Sequence, residues 1–387
     1  MSCLNLLYRH ARLVNNIYPG GPGEEGPRSS ALSLLVFYAT SKPLKLQKIG
    51  IHLQKRITAD LRKLKYQHVK VSLQIITTLI IECQQHIALI SKYLMRIVLM
   101  LQACNDTDIV IAATNVFVLF NVSYKHENID KEFTQLYLNL VKSFHLEASK
   151  AVEADLNVQH KLRLSGLKAL ESLCMSESFM GRSDLTGYLQ MIIPAIMANI
   201  PHFRETISED KVTTKHYDAE KEVDIQTGYT PPATMSIQDS MITQIELRSI
   251  AINCYVSLLA KSSSNSLKSI LVHIYEYLDS FNRWDLHEYI LKLFKIGIEA
   301  IKSEYRYIVT MSLFQKIQGS NDTIYETKVI DLVTDLVGEE AGAVGLTVPE
   351  LLEFFCMNIN RVCAAQITPE TQNLHHSLVG AIGTLSG

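Results

Sequence analysis

Apolar positions along this chain return every three or four residues, not every second one. That spacing predicts helices. From residue 31 onward they cover about 31–40, 43–65, 68–84, 87–104, 108–122, 130–146, 158–176, 184–200, 240–261, 264–279, 285–302, 323–338, 348–364 and 369–385. A shorter helix over 4–18 places Leu4, Leu7, Ala11, Val14 and Tyr18 on one side. Pro19 to Ser30 is rich in glycine and proline and reads as a loop. Helix 108–122 is rich in β-branched residues, but its length favours helix over strand, as do Thr107 and Asp108 at its start. Ser41 before Pro43, and Thr347 before Pro349-Glu350, mark two further starts.

The helices fall into pairs. One member is amphipathic, and the other is nearly apolar with small residues mid-way, as at Ala112-Ala113, Ser165-Gly166 and Ala251. With the segment after residue 202 set aside, these small residues recur about every 50 positions. Two helices per unit at that period predict an all-α, elongated solenoid of armadillo- or HEAT-like repeats. The chain then divides into 1–30, an N-terminal helix and loop; 31–202, repeats; 203–239, an insertion; and 240–387, further repeats. Residues 203–239 hold eight acidic and four basic residues with Gly228 and Pro231-Pro232, which reads as an acidic loop tolerated between helices.

Composition agrees with this picture. The 387 residues are 47% hydrophobic, with only 17 glycines and 10 prolines, too few turn formers for a β-rich fold. The longest apolar run, Ile109 to Phe120, is interrupted by Thr114 and Asn115 and is too short for a membrane span. The first 30 residues lack the apolar core of a signal peptide, so a cytosolic start is expected. Seven cysteines, none spaced as C-x-x-C, suggest neither a disulfide framework nor a zinc site, and six of them are expected as core side chains.

Charge is unevenly placed. Residues 1–70 hold 12 Lys+Arg and 3 Asp+Glu, leaving 25 and 36 of the chain's 37 and 39 for the rest. The N-terminal end is therefore expected to meet an anionic partner. The charge concentrates on the helix from Pro43 to Lys65. Leu46, Ile49, Leu53, Ile57, Leu61 and Leu64 share one arc of it. Lys45, Lys48, His52, Lys55, Arg56, Arg62 and Lys63 share a neighbouring arc, and Asp60, the single acid, lies outside that arc. Lys42 and Lys65 extend the stripe, and Arg9, Arg12 and Arg28 are candidates to join it. A one-signed stripe suits the anionic leaflet of a membrane, where each cation contributes about 1 kcal/mol. Nucleic acid fits less well, since Tyr66 alone is near the stripe to stack bases. Cys3, beside Leu4, Leu6 and Leu7, is a candidate for S-palmitoylation, and Ser2 excludes N-myristoylation. One acyl chain plus a basic patch makes a stable two-signal anchor.

Catalytic patterns are lacking. There is no G-x-x-x-x-G-K-[ST] loop, and Gly181-Arg182-Ser183-Asp184-Leu185 lacks the closing glycine of a nucleophile elbow. Cys83 and His86, one turn apart, read as a core cysteine beside a helix-end histidine. No catalytic residue, metal or cofactor is expected.

Several residues carry a family resemblance. Arg9-His10-Ala11-Arg12-Leu13-Val14-Asn15-Asn16-Ile17-Tyr18-Pro19, then Phe37-Tyr38-Ala39, Pro43-x-Lys45-Leu46-x-Lys48-Ile49-Gly50 and Leu53-x-Lys55-Arg56 resemble the opening helices of the eighty-five-requiring/rolling-blackout family. Thr114-Asn115-x-Phe117 and Trp284-Asp285 are similar to further family positions. The resemblance implies an α-helical rod, peripheral on the plasma membrane, that recruits a type III phosphatidylinositol 4-kinase complex through a tetratricopeptide-repeat adaptor. It also implies that the basic stripe is a patch for acidic phospholipids. Animal members carry a cluster of N-terminal cysteines where this chain has Cys3 alone, which likens it to the fungal branch. Family members are longer, and an end at Leu385-Ser386-Gly387 is expected of a fragment. The alternative is a soluble solenoid adaptor that holds peptide cargo in a concave groove. Against it, the tryptophan ladder of import receptors is absent, Trp284 being the single tryptophan.

Overall fold

The fold comes from a computed structural model, which describes residues 9–21, 26–124, 131–149, 156–200, 244–318, 320, 322–338 and 348–386. Its α-helices, in chain order, are α1 (Arg9–Asn15), α2 (Ser29–Ser41), α3 (Leu46–Arg62), α4 (Tyr66–Glu82), α5 (Ser91–Gln102), α6 (Thr107–Ser123), α7 (Lys131–Ser149), α8 (Leu156–Cys174), the single turn α9 (Glu177–Met180) and α10 (Leu185–Ala198). After these come α11 (Gln244–Ala260), α12 (Ser264–Ser280), α13 (His287–Ala300), α14 (Tyr307–Gln318), α15 (Thr323–Val337), α16 (Val348–Cys363) and α17 (Pro369–Ser386).

Contacts arrange them in two layers. In one, α1, α3, α5, α7, α10, α12 and α14 each pack on the next; in the other, α2, α4, α6, α8, α11, α13, α15 and α17 do the same. Helices adjacent in sequence, such as α3 with α4 and α5 with α6, close the layers on each other. Each helix buries its apolar stripe between the layers, and the result is one continuous core from Val14 to Ala381. This is the expected all-α solenoid.

The small residues sit where helices approach closely. Ala113, Ser165 and Ala251 are buried on α6, α8 and α11, three successive members of the second layer. A Cβ on Gly166 would stand 2.8 Å from the Phe144 carbonyl oxygen and 2.9 Å from the Ala148 nitrogen, so only glycine lets α8 lie so near α7. One buried polar network ties three helices of this core. Tyr137 Oη donates to Asn121 Oδ1 at 2.6 Å, and Asn121 Nδ2 donates to Ser172 Oγ at 3.1 Å, tying α7, α6 and α8 together. The family-like Thr114 and Trp284 are such structural groups: Thr114 accepts from Gln102, and the Trp284 indole donates to Asp279.

Some expectations change. The helix expected over 43–65 is split, because Pro43 starts a separate 3-10 turn, Pro43–Lys45, before α3 begins at Leu46. The cap of α6 is Asp106, whose carboxylate accepts from the Ile109 nitrogen. Helix α14 lies where no helix was expected. It buries Ile308, Val309, Leu313, Phe314 and Ile317 against α12 and α15, a tertiary gain that outweighs its β-branched start. Cys356 and Cys363 are exposed rather than in the core, because α16 turns Leu351, Phe354, Phe355 and Val362 inward instead. Cys3, Thr347 and the acidic segment 203–239 lie outside the described residues. No helix among the described residues is long and apolar enough to cross a membrane.

Candidate membrane interface

The basic helix α3 is held in place from within. Leu46, Ile49, Leu53 and Ile57 are fully buried, and Leu61 is half-buried against them. Gly50 is buried on the same helix; a Cβ there would stand 2.7 Å from Ile90 Cγ1, so it lets the turn before α5 close on α3. On the other flank Val14, Ile17 and Tyr18 pin down α1 and the turn after it, with Tyr18 Oη 2.6 Å from Ser72 Oγ.

Lys48, Lys55 and Arg62 are spaced seven apart, which puts them in one line along α3. All three are exposed. Neither they nor Lys45, Lys63 or Lys65 make an ion pair among the described residues. Burial, then the nearby Lys48 and Lys45 of the stripe, disfavour protonation of His10 on α1. Arg9 and Lys42 both lie over the Tyr38 ring, 5.6 and 6.0 Å from its centroid. Arg12 is exposed on α1. One continuous basic surface therefore runs from Arg9 and Lys42 along α3 to Lys65.

Four residues behave otherwise than expected. Arg56 is turned inward: Nη1 donates to Asn15 Oδ1 at 2.6 Å, the guanidinium lies 3.5 Å above the Tyr18 ring, and Nε is 3.5 Å from the buried Asp60 carboxylate. It serves as a clamp between α1 and α3. His52 is half-buried with Nε2 3.1 Å from Asn15 Oδ1. Burial, then the nearby His10, Arg56 and Lys55, hold its pKa below the ordinary histidine value, so it adds no charge at neutral pH. Arg28 lies against Gly20 in the loop before α2. Leu64, expected in the buried arc, is 70% exposed because α3 stops at Arg62 and the chain turns away.

The stripe also has a neighbour that the α3 sequence alone does not reveal. Between α3 and α5 runs a groove of about 570 Å³, lined by Gln54, Lys55, Thr58, Arg62, Tyr93 and Arg96. Arg96 and Lys92 of α5 both reach Glu132 on α7, Lys92 at 3.5 Å. Arg96 holds the Glu132 carboxyl below its usual range. The unpaired cations thus end at α5, where an acidic residue first answers them. The signal for Arg96 was its spacing from Lys92, one turn apart on the next helix of the same layer.

The surface offers little toward covalent or metal chemistry. Burial raises the Cys83 thiol pKa, the reverse of nucleophile activation. Among the described residues no cluster of His, Cys, Asp or Glu is placed to hold a metal ion.

Comparisons with known proteins agree with the architecture. Residues 32–386 match the family model described as EFR3, armadillo repeat. The human "Protein EFR3 homolog B" is 24% identical over 359 residues, covering 90% of this chain and 40% of the relative. The Drosophila melanogaster "Protein EFR3 homolog cmp44E" is 24% identical, covering 98% of this chain and 44% of the relative. The "Protein EFR3" of the fungus Chaetomium globosum is 28% identical over 55% of this chain. The chain therefore spans about two fifths of the length of the animal relatives. A crystal structure of Efr3 superposes with a TM-score of 0.65 at 17% identity, covering 97% of this chain and 71% of that one, which shows a shared fold. With a family model matched over nearly its whole length, the chain belongs to the EFR3 family, the eighty-five-requiring family that its N-terminal helices resemble.

Proposed function

We propose that this chain is the membrane-facing part of a scaffold on the inner face of the plasma membrane. Its α3 surface binds acidic phospholipids, and the rod behind it anchors a phosphatidylinositol 4-kinase complex for phosphatidylinositol 4-phosphate synthesis. One observation carries the lipid half: Lys48, Lys55 and Arg62 form an exposed line of charge that no acid of the described rod neutralises. Solubility does not require charge of one sign, whereas an anionic leaflet rewards it. Family membership supports the other half, in which a tetratricopeptide-repeat adaptor joins the rod to a type III kinase. Cys3, if acylated, supplies a second anchor to the charge.

Sedimentation with vesicles tests the lipid half. The protein should pellet with vesicles containing phosphatidylserine or phosphoinositides, and 0.5 M salt should weaken this, since charges at a surface are screened within about 3–10 Å at such ionic strengths. Equal pelleting with neutral vesicles would refute the electrostatic mechanism.

A further inference from the structure

Leu64 sits where leucine is disfavoured twice over. α3 ends with the Lys65 nitrogen donating to the Asp60 carbonyl at 2.9 Å and the Leu64 nitrogen donating to the Leu61 carbonyl at 3.0 Å. These are the paired bonds of a Schellman motif, which needs a left-handed residue just past the helix, usually glycine. Leu64 takes that conformation, with φ 53°. Its Cβ is crowded there. Burial offers no compensation, for the side chain is 70% exposed. Among the described residues only Asn282 shares a positive φ with a side chain, and asparagine tolerates it. Strain of this kind at a surface points to a use.

Its surroundings say what that use is. Lys63 and Lys65 flank it and are exposed. The opposite end of the 17-residue helix, about 25 Å away, repeats the arrangement: Leu44 is 78% exposed, beside Lys45 and two residues from Lys42. A protein partner would meet a contiguous apolar patch with a polar rim. Exposed leucines flanked along the chain by lysines match a lipid surface instead, where an apolar side chain enters the acyl boundary while amines stay with the head groups.

We propose that Leu64, with Leu44 as its counterpart, inserts into the outer acyl region of an anionic membrane and seats α3 flat upon it. This rests on the lipid-binding reading of α3 and adds to it an apolar component that salt does not screen.

Leu64→Gly separates the two contributions, because glycine relieves the backbone and removes the anchor together. The melting temperature should hold or rise. Partition onto phosphatidylserine vesicles in 0.5 M salt should fall about tenfold, and Leu44→Ser should act in the same direction. In a Trp284→Phe background, Leu64→Trp should show blue-shifted emission on anionic vesicles and quenching by lipids brominated along the acyl chain. If Leu64→Gly partitions like the parent at high salt, or the introduced indole is not quenched, insertion is wrong although the charge reading stands. If the parent itself does not prefer anionic vesicles, both fall.

Discussion

Positive charge does different work at the two ends of this rod. In the C-terminal half, several cations pair with acids of neighbouring helices. Lys316 on α14 reaches Asp279 on α12 at 2.5 Å, Lys328 on α15 meets Asp285 before α13, and Arg361 on α16 meets Glu326 on α15. Even His287 on α13 lies 2.7 Å from Asp335 on α15. In the N-terminal half, α3 presents Lys48, Lys55 and Arg62 with no such answer, and its one acid, Asp60, is turned inward to Arg56. A cation that already has an acid beside it has little field left to offer. One without an acid projects its charge outward and is available to a partner. On the proposed lipid-binding reading, pairing, more than the count of basic residues, decides which part of the rod meets an anionic surface.

The largest test of that contrast is charge reversal on each side. Lys48→Glu, Lys55→Glu and Arg62→Glu together remove three attractions and add three repulsions. At about 1 kcal/mol each, roughly 6 kcal/mol of attraction is lost, and sedimentation with anionic vesicles should become undetectable. Thermal unfolding should barely move, because these side chains touch nothing that the fold needs. Lys316→Glu with Lys328→Glu should do the opposite: vesicle binding persists, while stability falls by about 1 kcal/mol for surface pairs turned repulsive. If both variants respond alike, pairing is not the criterion.

Arg56 sharpens the comparison, since it lies on α3 but is held like a C-terminal cation. Arg56→Ala leaves the buried Asp60 carboxylate without its guanidinium and loosens α1 through Asn15 and Tyr18. Chemical denaturation should show a loss of about 2 kcal/mol. Vesicle binding by the folded fraction should change far less than for Lys55→Ala. The reverse ranking would mean that Arg56 turns outward on the membrane.

Much of this was legible in the letters because it is local. The buried line Leu46, Ile49, Leu53, Ile57 and the exposed line Lys48, Lys55, Arg62 follow from helical period alone. So does the recurrence of small residues at Ala113, Gly166 and Ala251, which the structure stacks on successive helices of one layer. What stayed hidden depends on residues far along the chain. Arg56 and His52 turn inward because of Asn15, 41 and 37 positions earlier. Arg96 joins the edge of the basic surface only because α5 packs beside α3, and Glu132 closes that edge from α7. Leu64 was misplaced by assuming that the helix continues; the Schellman bonds to Asp60 and Leu61 stop it one turn early.

The smallest expected effect comes from the two histidines on the basic side. His10 is pushed below the ordinary histidine pKa by burial and by Lys48 and Lys45; His52 by burial and by His10, Arg56 and Lys55. Their rings lie 6.4 Å apart, edge to face, so protonating one disfavours the other. Both bind a proton more readily when the chain is unfolded. Their contribution to stability is therefore full above about pH 6.5 and is lost as pH falls through that value toward their lower folded pKa values. An anionic membrane reverses the sense, for it favours the protonated form that the lysines oppose. Acidification from pH 7.5 to 5.5 should thus lower the melting temperature of the free protein while strengthening its hold on anionic vesicles by up to about fivefold, near 1 kcal/mol for one added charge. A double His10→Gln, His52→Gln variant should bind equally at both pH values, whereas His287→Gln at the paired C-terminal end should keep the parent's pH response. Equal pH responses in the double variant and the parent would place the titration elsewhere and remove the histidines from the basic surface.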